Sequence, residues 1–367
     1  MTRLERITSP DTPALHALCD ALRRESDRAD ESAWPEARLS LMAEAGVFEW
    51  FLSQPWGGQG WQEPAITQGM IALGASCLTT TFVLTQRNAA CVRLAASTNG
   101  RFRRDFASGL CDGGIFPTVA ISHLTTSRQH VAKPAMQATA SAHGFRLDGY
   151  SAWVTGAIHA DLIVVGAVTD DDRQILVALN PRSPGIVIPP AERLLALSGS
   201  QTGRLECHGV EVSEPDIVAG PMPEIMKHFG GGAGGLQTSA LAVGLADAGI
   251  AYLEHEAERR EPLREVALAL RHNWRSLRDD LLRTAGGAPQ CSREDLRGRA
   301  NSLALRATQA ALVAAKGAGF VAAHPVGRWC REALFFLVWS CPQAVLAANL
   351  CEFAMLESTA WPSEPSS

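Results

Sequence analysis

The sequence predicts an α+β protein of three consecutive parts: helical, then β, then helical again. Two changes of hydrophobic period set that order. Apolar residues recur at three- and four-residue spacing over the first third, and near Ile115 they give way to short β-branched runs. The helical period returns after the glycine run Phe229 to Gln237. A chain of 367 residues, 46% hydrophobic and 19% charged, carries enough apolar material for two or three such parts.

In the first part, ALHALCDALRRESDRADESAW and EARLSLMAEAGVF read as amphipathic helices. ITQGMIALGASCLTTTFVLTQRNAACVRLAAS continues the pattern with small residues that permit close helix packing. Between them the segment Pro55 to Trp61, PWGGQGW, is a turn-rich break. In the second part, GFRLDGYSAWVT, DLIVVGAV, RQILVALN, GIVIPP and LECHGVEV are bounded by Gly, Asp, Asn and Pro, as consecutive antiparallel strands are. In the third, ALAVGLADAGIAYLEHEAERREP, LREVALALRHNWRSLRDDLLR and DLRGRANSLALRATQAALVAAK are long helices, enough for an antiparallel bundle. The divisions fall at residues 1–114, 115–223 and 224–367.

Charge and cysteine content narrow the function classes. Lys and Arg number 33 against 38 Asp and Glu, a net charge of −5, with no basic run suited to tracking phosphates, so a nucleic-acid binder is not expected. Nine cysteines occur without a CxxC pair or zinc-finger spacing, which points to reduced thiols in the cytoplasm and to no metal. The N-terminus mixes acidic and basic residues where an export signal needs an apolar stretch. The longest apolar run, Ala333 to Cys351, is interrupted by Pro342, Gln343 and Asn349, so a buried helix is the expected reading and no membrane span is predicted.

Five patterns in chain order resemble the acyl-CoA dehydrogenase superfamily: AGVFEWFLSQPWGGQGW, GFRLDGYSAWVTGAIHAD, LALSGSQTGRLECHGVEV, VGLADAGIAYLEHEAERR and KGAGFVAAHPVGRWCREALFF. The resemblance implies an N-terminal α-helical domain, a central antiparallel β-barrel domain and a C-terminal four-helix bundle. It also implies bound FAD, an acyl-CoA or other small-molecule substrate, and an electron-acceptor flavoprotein or oxygen as partner. A homodimer or homotetramer is expected with it. Trp153 and Thr155 would sit by the flavin, since two residues apart on a strand they share a face; an aromatic in a strand is also ordinary core. Ser200 and Thr202 occupy the family's Ser-x-Thr places. Gly317 and Gly319 would bring backbone near the cofactor, or simply turn the chain. Arg260 takes the place of an arginine that reaches FAD phosphate, and Arg271 stands where a glutamine is usual. As a solvated helix face both would look the same. Ser122 and His123 replace the Thr-Glu pair on the flavin side. His123, with His130 after it, brings an imidazole suited to general acid or base work, and a merely hydrogen-bonded loop histidine is the alternative.

Aligning Arg331, Glu332 and Ala333 with the family's Arg-Asp-Ala helix puts Ser340 at the usual place of the catalytic glutamate. The alternative base place falls on Gly234 and its neighbouring substrate-side arginine on Gly235. No acid lies between Glu224 and Asp247. An unactivated hydroxyl does not abstract the α-proton of an acyl thioester. Three readings follow: an FAD oxidoreductase acting on the CH–CH group of a thioester with a base such as Glu332, Glu352 or His123; a flavin monooxygenase; or a non-catalytic homologue. The substrate pocket would be lined near Leu84 to Asn88 and near Gly230 to Gln237.

Overall fold

The computed structural model describes residues 4–125, 135–229 and 235–356. His130 and Gly234 lie outside them. Contacts divide the chain into two compact units, residues 1–62 with 79–232, and residues 63–78 with 233–367.

The first unit holds α1 (Pro13–Arg28), α2 (Glu36–Glu44), all but the first residue of α4 (Leu78–Ala96), α5 (Gly100–Asp112), and two four-residue helices, α6 (Ser122–Thr125) and α7 (Ile225–His228). Eight strands form its sheet: β1 (Pro117–Ala120), β2 (Met136–Ser141), β3 (Gly144–Thr155), β4 (Leu162–Thr169), β5 (Gln174–Leu179), β6 (Ile186–Val187), β7 (Thr202–Ser213) and β8 (Ile217–Met222). Their order is β6-β7-β3-β2-β4-β5-β8, with β1 also on β4. The sheet is mixed rather than wholly antiparallel, because β1 and β2 both run parallel to β4. The cause is connectivity: α6 and the segment after it carry the chain from β1 to β2 instead of a tight hairpin.

β4 is buried along nearly its whole length. Ile163, Val165 and Ala167 enter one apolar cluster with β3 and β7 residues; Leu162 and Val164 enter another with Ala90, Leu94 and Phe102 of α4 and α5. A strand covered on both faces reads as a continuous apolar run, which is what LIVVGAV shows. α5 is closed at both ends. Asn99 accepts from the Arg101 amide at 3.1 Å, and Gly113 follows at φ 84°, where an added Cβ would lie 3.0 Å from Ala43.

The second unit holds α3 (Glu63–Ser76), α8 (Leu236–Ala257), α9 (Arg264–Ala285), α10 (Arg293–Ala315), α11 (Pro325–Phe335) and α12 (Gln343–Phe353). α3, from the N-terminal helical third, thus packs with the C-terminal helices. α8 is long and apolar enough to cross a membrane, but 78% of that window is buried inside the protein against α3, α9 and α10, so its apolarity is that of a core helix. Among the described residues none of the nine cysteines is in a disulfide; five are buried and four partly exposed.

α3 and α8 meet backbone to backbone. A Cβ on Gly244 would stand 2.4 Å from the Ile71 carbonyl oxygen and 2.9 Å from the Ala75 nitrogen, neither of which can swing aside. Gly244→Val is therefore expected to force the helices apart and destabilise the protein by about 3 kcal/mol, read as a lower denaturation midpoint at unchanged slope.

Candidate functional site

Within the first unit, β3 carries Trp153 at one end of the sheet. Its register with β7 shifts between Ser151 and Val154, and the irregularity leaves the Trp153 indole 55% exposed. Thr155, two residues on, is buried. Its hydroxyl meets that of Thr202 at 2.9 Å, which in turn meets Ser200 at 2.9 Å, and its carbonyl accepts from Thr118 at 2.8 Å. The three hydroxyls therefore form a buried chain, whereas Trp153 on the same strand is exposed.

α6 packs on β3 through the Ser122 and Ser151 hydroxyls, 3.3 Å apart. The next residue, His123, is a different group from the loop imidazole expected. Its Nε2 lies 2.8 Å from the Gly166 carbonyl, an acceptor only, so Nε2 carries the proton and donates it. Nδ1 is left as a buried acceptor without a hydrogen-bond partner. The ring edge keeps some exposure while the nitrogens are enclosed. Burial pushes the imidazolium down to about 4, against a smaller opposing effect of the Gly166 carbonyl. His123 is thus held in its neutral form at physiological pH.

In the second unit, Arg260 donates to Glu256 at 3.0 Å and to the Ala314 carbonyl at 2.6 Å. Arg271 binds Glu254 through two bonds of 2.8 Å and Asp247 through one of 2.5 Å, and lies over the Trp274 ring. Burial alone would lower Arg271, but these two carboxylates hold it above the ordinary arginine value. Both arginines are engaged inside their own unit. Gly319 is required by packing, since a Cβ there would lie 2.7 Å from Ala315; Gly317 faces open space.

Ser340 lies in the turn between α11 and α12, in left-handed backbone at φ 46°. The sequence pattern did not single out what holds that turn. Arg297, 1% exposed on α10, donates from Nη2 to the Trp339 carbonyl at 2.9 Å and to the Phe336 carbonyl at 3.3 Å; Asn301, one helical turn along, donates to Phe336 at 3.0 Å. A charge and an amide four residues apart on an otherwise apolar helix face are the visible trace of this clamp. Of the carboxylates considered as bases, Glu332 is buried in α11, and Glu352 is exposed and accepts from Ser302 at 2.5 Å. A cavity of about 560 Å³ between α9, α10 and α12 includes Glu352 in its wall but none of the other predicted site residues.

Solved structures share this architecture over nearly the full chain. Butyryl-CoA dehydrogenase from Megasphaera elsdenii superposes with a TM-score of 0.75 at 17% identity, covering 93% of this chain and 96% of that one. The chain has the acyl-CoA dehydrogenase fold. Glutaryl-coenzyme A dehydrogenase in its glutaryl-CoA complex gives 0.79 at 16%, covering 97% and 99%. Dibenzothiophene monooxygenase TdsC from Paenibacillus sp. A11-2, in its FMN-bound form, gives 0.77 at 14%, covering 96% and 98%. No family model and no curated protein matches the sequence.

His123 makes a definite prediction. Because its folded value lies below the unfolded one near 6.5, the unfolded chain binds the extra proton between the two, and stability falls as pH drops from about 6.5 to 4. Denaturation of the wild type across that window should show a loss larger, by up to about 3 kcal/mol, than that of His123→Gln.

Proposed function

We propose that this chain is a flavin-dependent oxidoreductase whose reaction does not begin with abstraction of a proton by a carboxylate. The observation that carries the flavin is Trp153. A large aromatic plane stands exposed on β3, a strand that also carries Ser151, whose hydroxyl meets Ser122, and Thr155, whose hydroxyl belongs to the buried chain with Thr202 and Ser200. Such a plane beside hydroxyls suits a tricyclic ring with a polar edge. A bound flavin would supply hydride or electron transfer, and TdsC, on the same fold, is solved with FMN.

The residues fit the ring better than they fit a dinucleotide. Arg260, expected at the FAD phosphate, and Arg271 are already paired with carboxylates of α8, so a pyrophosphate would have to displace Glu256 or the Asp247–Glu254 pair. The mononucleotide is accordingly the favoured form. The position of the base supports the reaction class. Ser340 stands on a turn gripped by a guanidinium, and burial makes the His123 imidazole a weaker base than a free one. Neither Glu332, enclosed in α11, nor Glu352, bonded to Ser302, stands at that turn. A monooxygenase needs no such base, and TdsC is one on this fold. We infer as well that the protein assembles with copies of itself. Val313, Phe320 and Val321, near the end of α10, are 75%, 87% and 59% exposed.

Anaerobic visible spectroscopy tests the reading. The reconstituted protein should show a flavin band that mixed acyl-CoAs do not bleach; bleaching would establish dehydrogenation instead. FMN should bind more tightly than FAD by fluorescence titration. Trp153→Ala should weaken flavin binding about tenfold, a stacking contribution near 1.4 kcal/mol.

A further inference from the structure

Two independent features place positive charge at the Ser340 turn. The first is Arg297. It is buried, it makes no ion pair among the described residues, and two of its nitrogens, Nε and Nη1, are enclosed without hydrogen-bond partners. Burial brings it down to about 10, so it remains charged at neutral pH, and the one titratable group acting on it is the Cys341 thiol. Two carbonyl oxygens satisfy part of its hydrogen bonding and none of its net charge.

The second is the N-terminus of α12. This eleven-residue helix begins at Gln343 behind Pro342, no side chain caps it, and its first turn contains no acid. The amides of Val345 and Leu346 return to the Pro342 carbonyl at 3.0 Å, but the helix's leading N–H groups and the positive end of its dipole are directed at the Ser340–Pro342 segment. Helix N-termini with a nearby guanidinium are a recurrent setting for oxygen anions.

We propose that the Trp339–Gln343 turn is an anion-receiving site, and that the ligand group held against Ser340 is an oxygen anion, a carboxylate or phenolate borne by the substrate. As a substrate assignment this rests on the flavoenzyme reading above and on the resemblance that aligns Ser340 with the usual base position; the charge of the turn does not. The proposal also accounts for the serine. A glutamate at 340 would be paired by Arg297 and held ionised beside a cation, whereas a hydroxyl leaves that cation for the ligand. In this role Arg297 is a positioning residue, acting through the turn and through its field.

Cys341 reports on that field directly, since it is partly exposed and adjoins Ser340. Its thiol is raised by burial, with Arg297 opposing the rise. Alkylation of Cys341 is followed by peptide mapping of the intact protein, using iodoacetate as the anionic probe and iodoacetamide as the neutral one, with N-acetylcysteine as reference. In each case the thiolate displaces iodide. The wild type should favour iodoacetate over iodoacetamide roughly fivefold more than the reference does. Arg297→Gln should move that ratio most of the way back to the reference, and Arg297→Lys should keep it. A wild-type ratio equal to the reference, or a folded Arg297→Gln with the wild-type ratio, overturns the proposal. Should Arg297→Gln fail to fold, raising salt to about 0.5 M must shrink the wild-type ratio, because a charge-driven preference is screened; an unchanged ratio overturns it equally. No flavin takes part in this measurement, so its failure is distinct from failure of the flavoenzyme reading.

Discussion

A buried guanidinium bonded to backbone carbonyls organises each unit of this protein. Arg297 grips the carbonyls of Phe336 and Trp339, just past the end of α11. Arg87, fully buried in α4, donates to the carbonyls of Leu110, in the last turn of α5, and Ile115, and its guanidinium lies 3.8 Å from the Phe48 ring centroid. The final carbonyls of a helix lack intrahelical donors and carry the negative end of its dipole, so an arginine is a natural partner for them. The partner comes from another helix in both cases, which fixes where the capped helix ends and where the chain leaves it. For α11 that exit is the Ser340 turn, and the left-handed residue at 340 follows from a turn pinned at both of its carbonyls.

The price of this arrangement is an uncompensated charge, and the two sites meet it differently. Near Arg87 the thiols of Cys91 and Cys111 and the Asp112 carboxylate oppose the effect of burial. Near Arg297 only Cys341 does so. Elsewhere in the second unit arginine charge is matched closely, as with Arg271 between Asp247 and Glu254, or Arg299 against Asp280 at 2.8 Å. The guanidinium at the Ser340 turn therefore differs from Arg271 and Arg299 in being buried without a carboxylate partner among the described residues. In the proposed function that residual positive potential is left for the ligand.

The first unit handles its buried polar groups by opposite means. There the sheet buries polar groups only where hydroxyls and carbonyls answer one another, as in the chain from Ser200 through Thr202 to Thr155 and Thr118. A satisfied network of this kind is rigid, and it fixes the end of β3, the strand that carries the exposed Trp153. His123 belongs to the same logic. Its tautomer is set by the Gly166 carbonyl, and the resulting neutral ring adds shape and one acceptor to the sheet end rather than a mobile proton.

Hydrophobic period alone determined the order of helical, β and helical segments, because a strand and a helix place their buried residues at incompatible spacings. The run DLIVVGAV was likewise legible as a strand, whereas Ala333 to Cys351, expected as one buried helix, is divided by the Ser340 turn into the end of α11 and α12, with Leu334, Val338 and Leu350 exposed. Tertiary structure decided what a one-dimensional pattern cannot hold. It gave α3 to the C-terminal helices and ran β1 and β2 parallel to β4, since pairing depends on where connections cross rather than on the strands themselves. It paired Arg260 and Arg271 with carboxylates, and it enclosed His123 so that burial pushes its imidazolium down to about 4. It also set Arg297 beneath a turn about 40 residues further along the chain. Charge and pKa are properties of the surroundings, and those surroundings are assembled from residues distant in sequence.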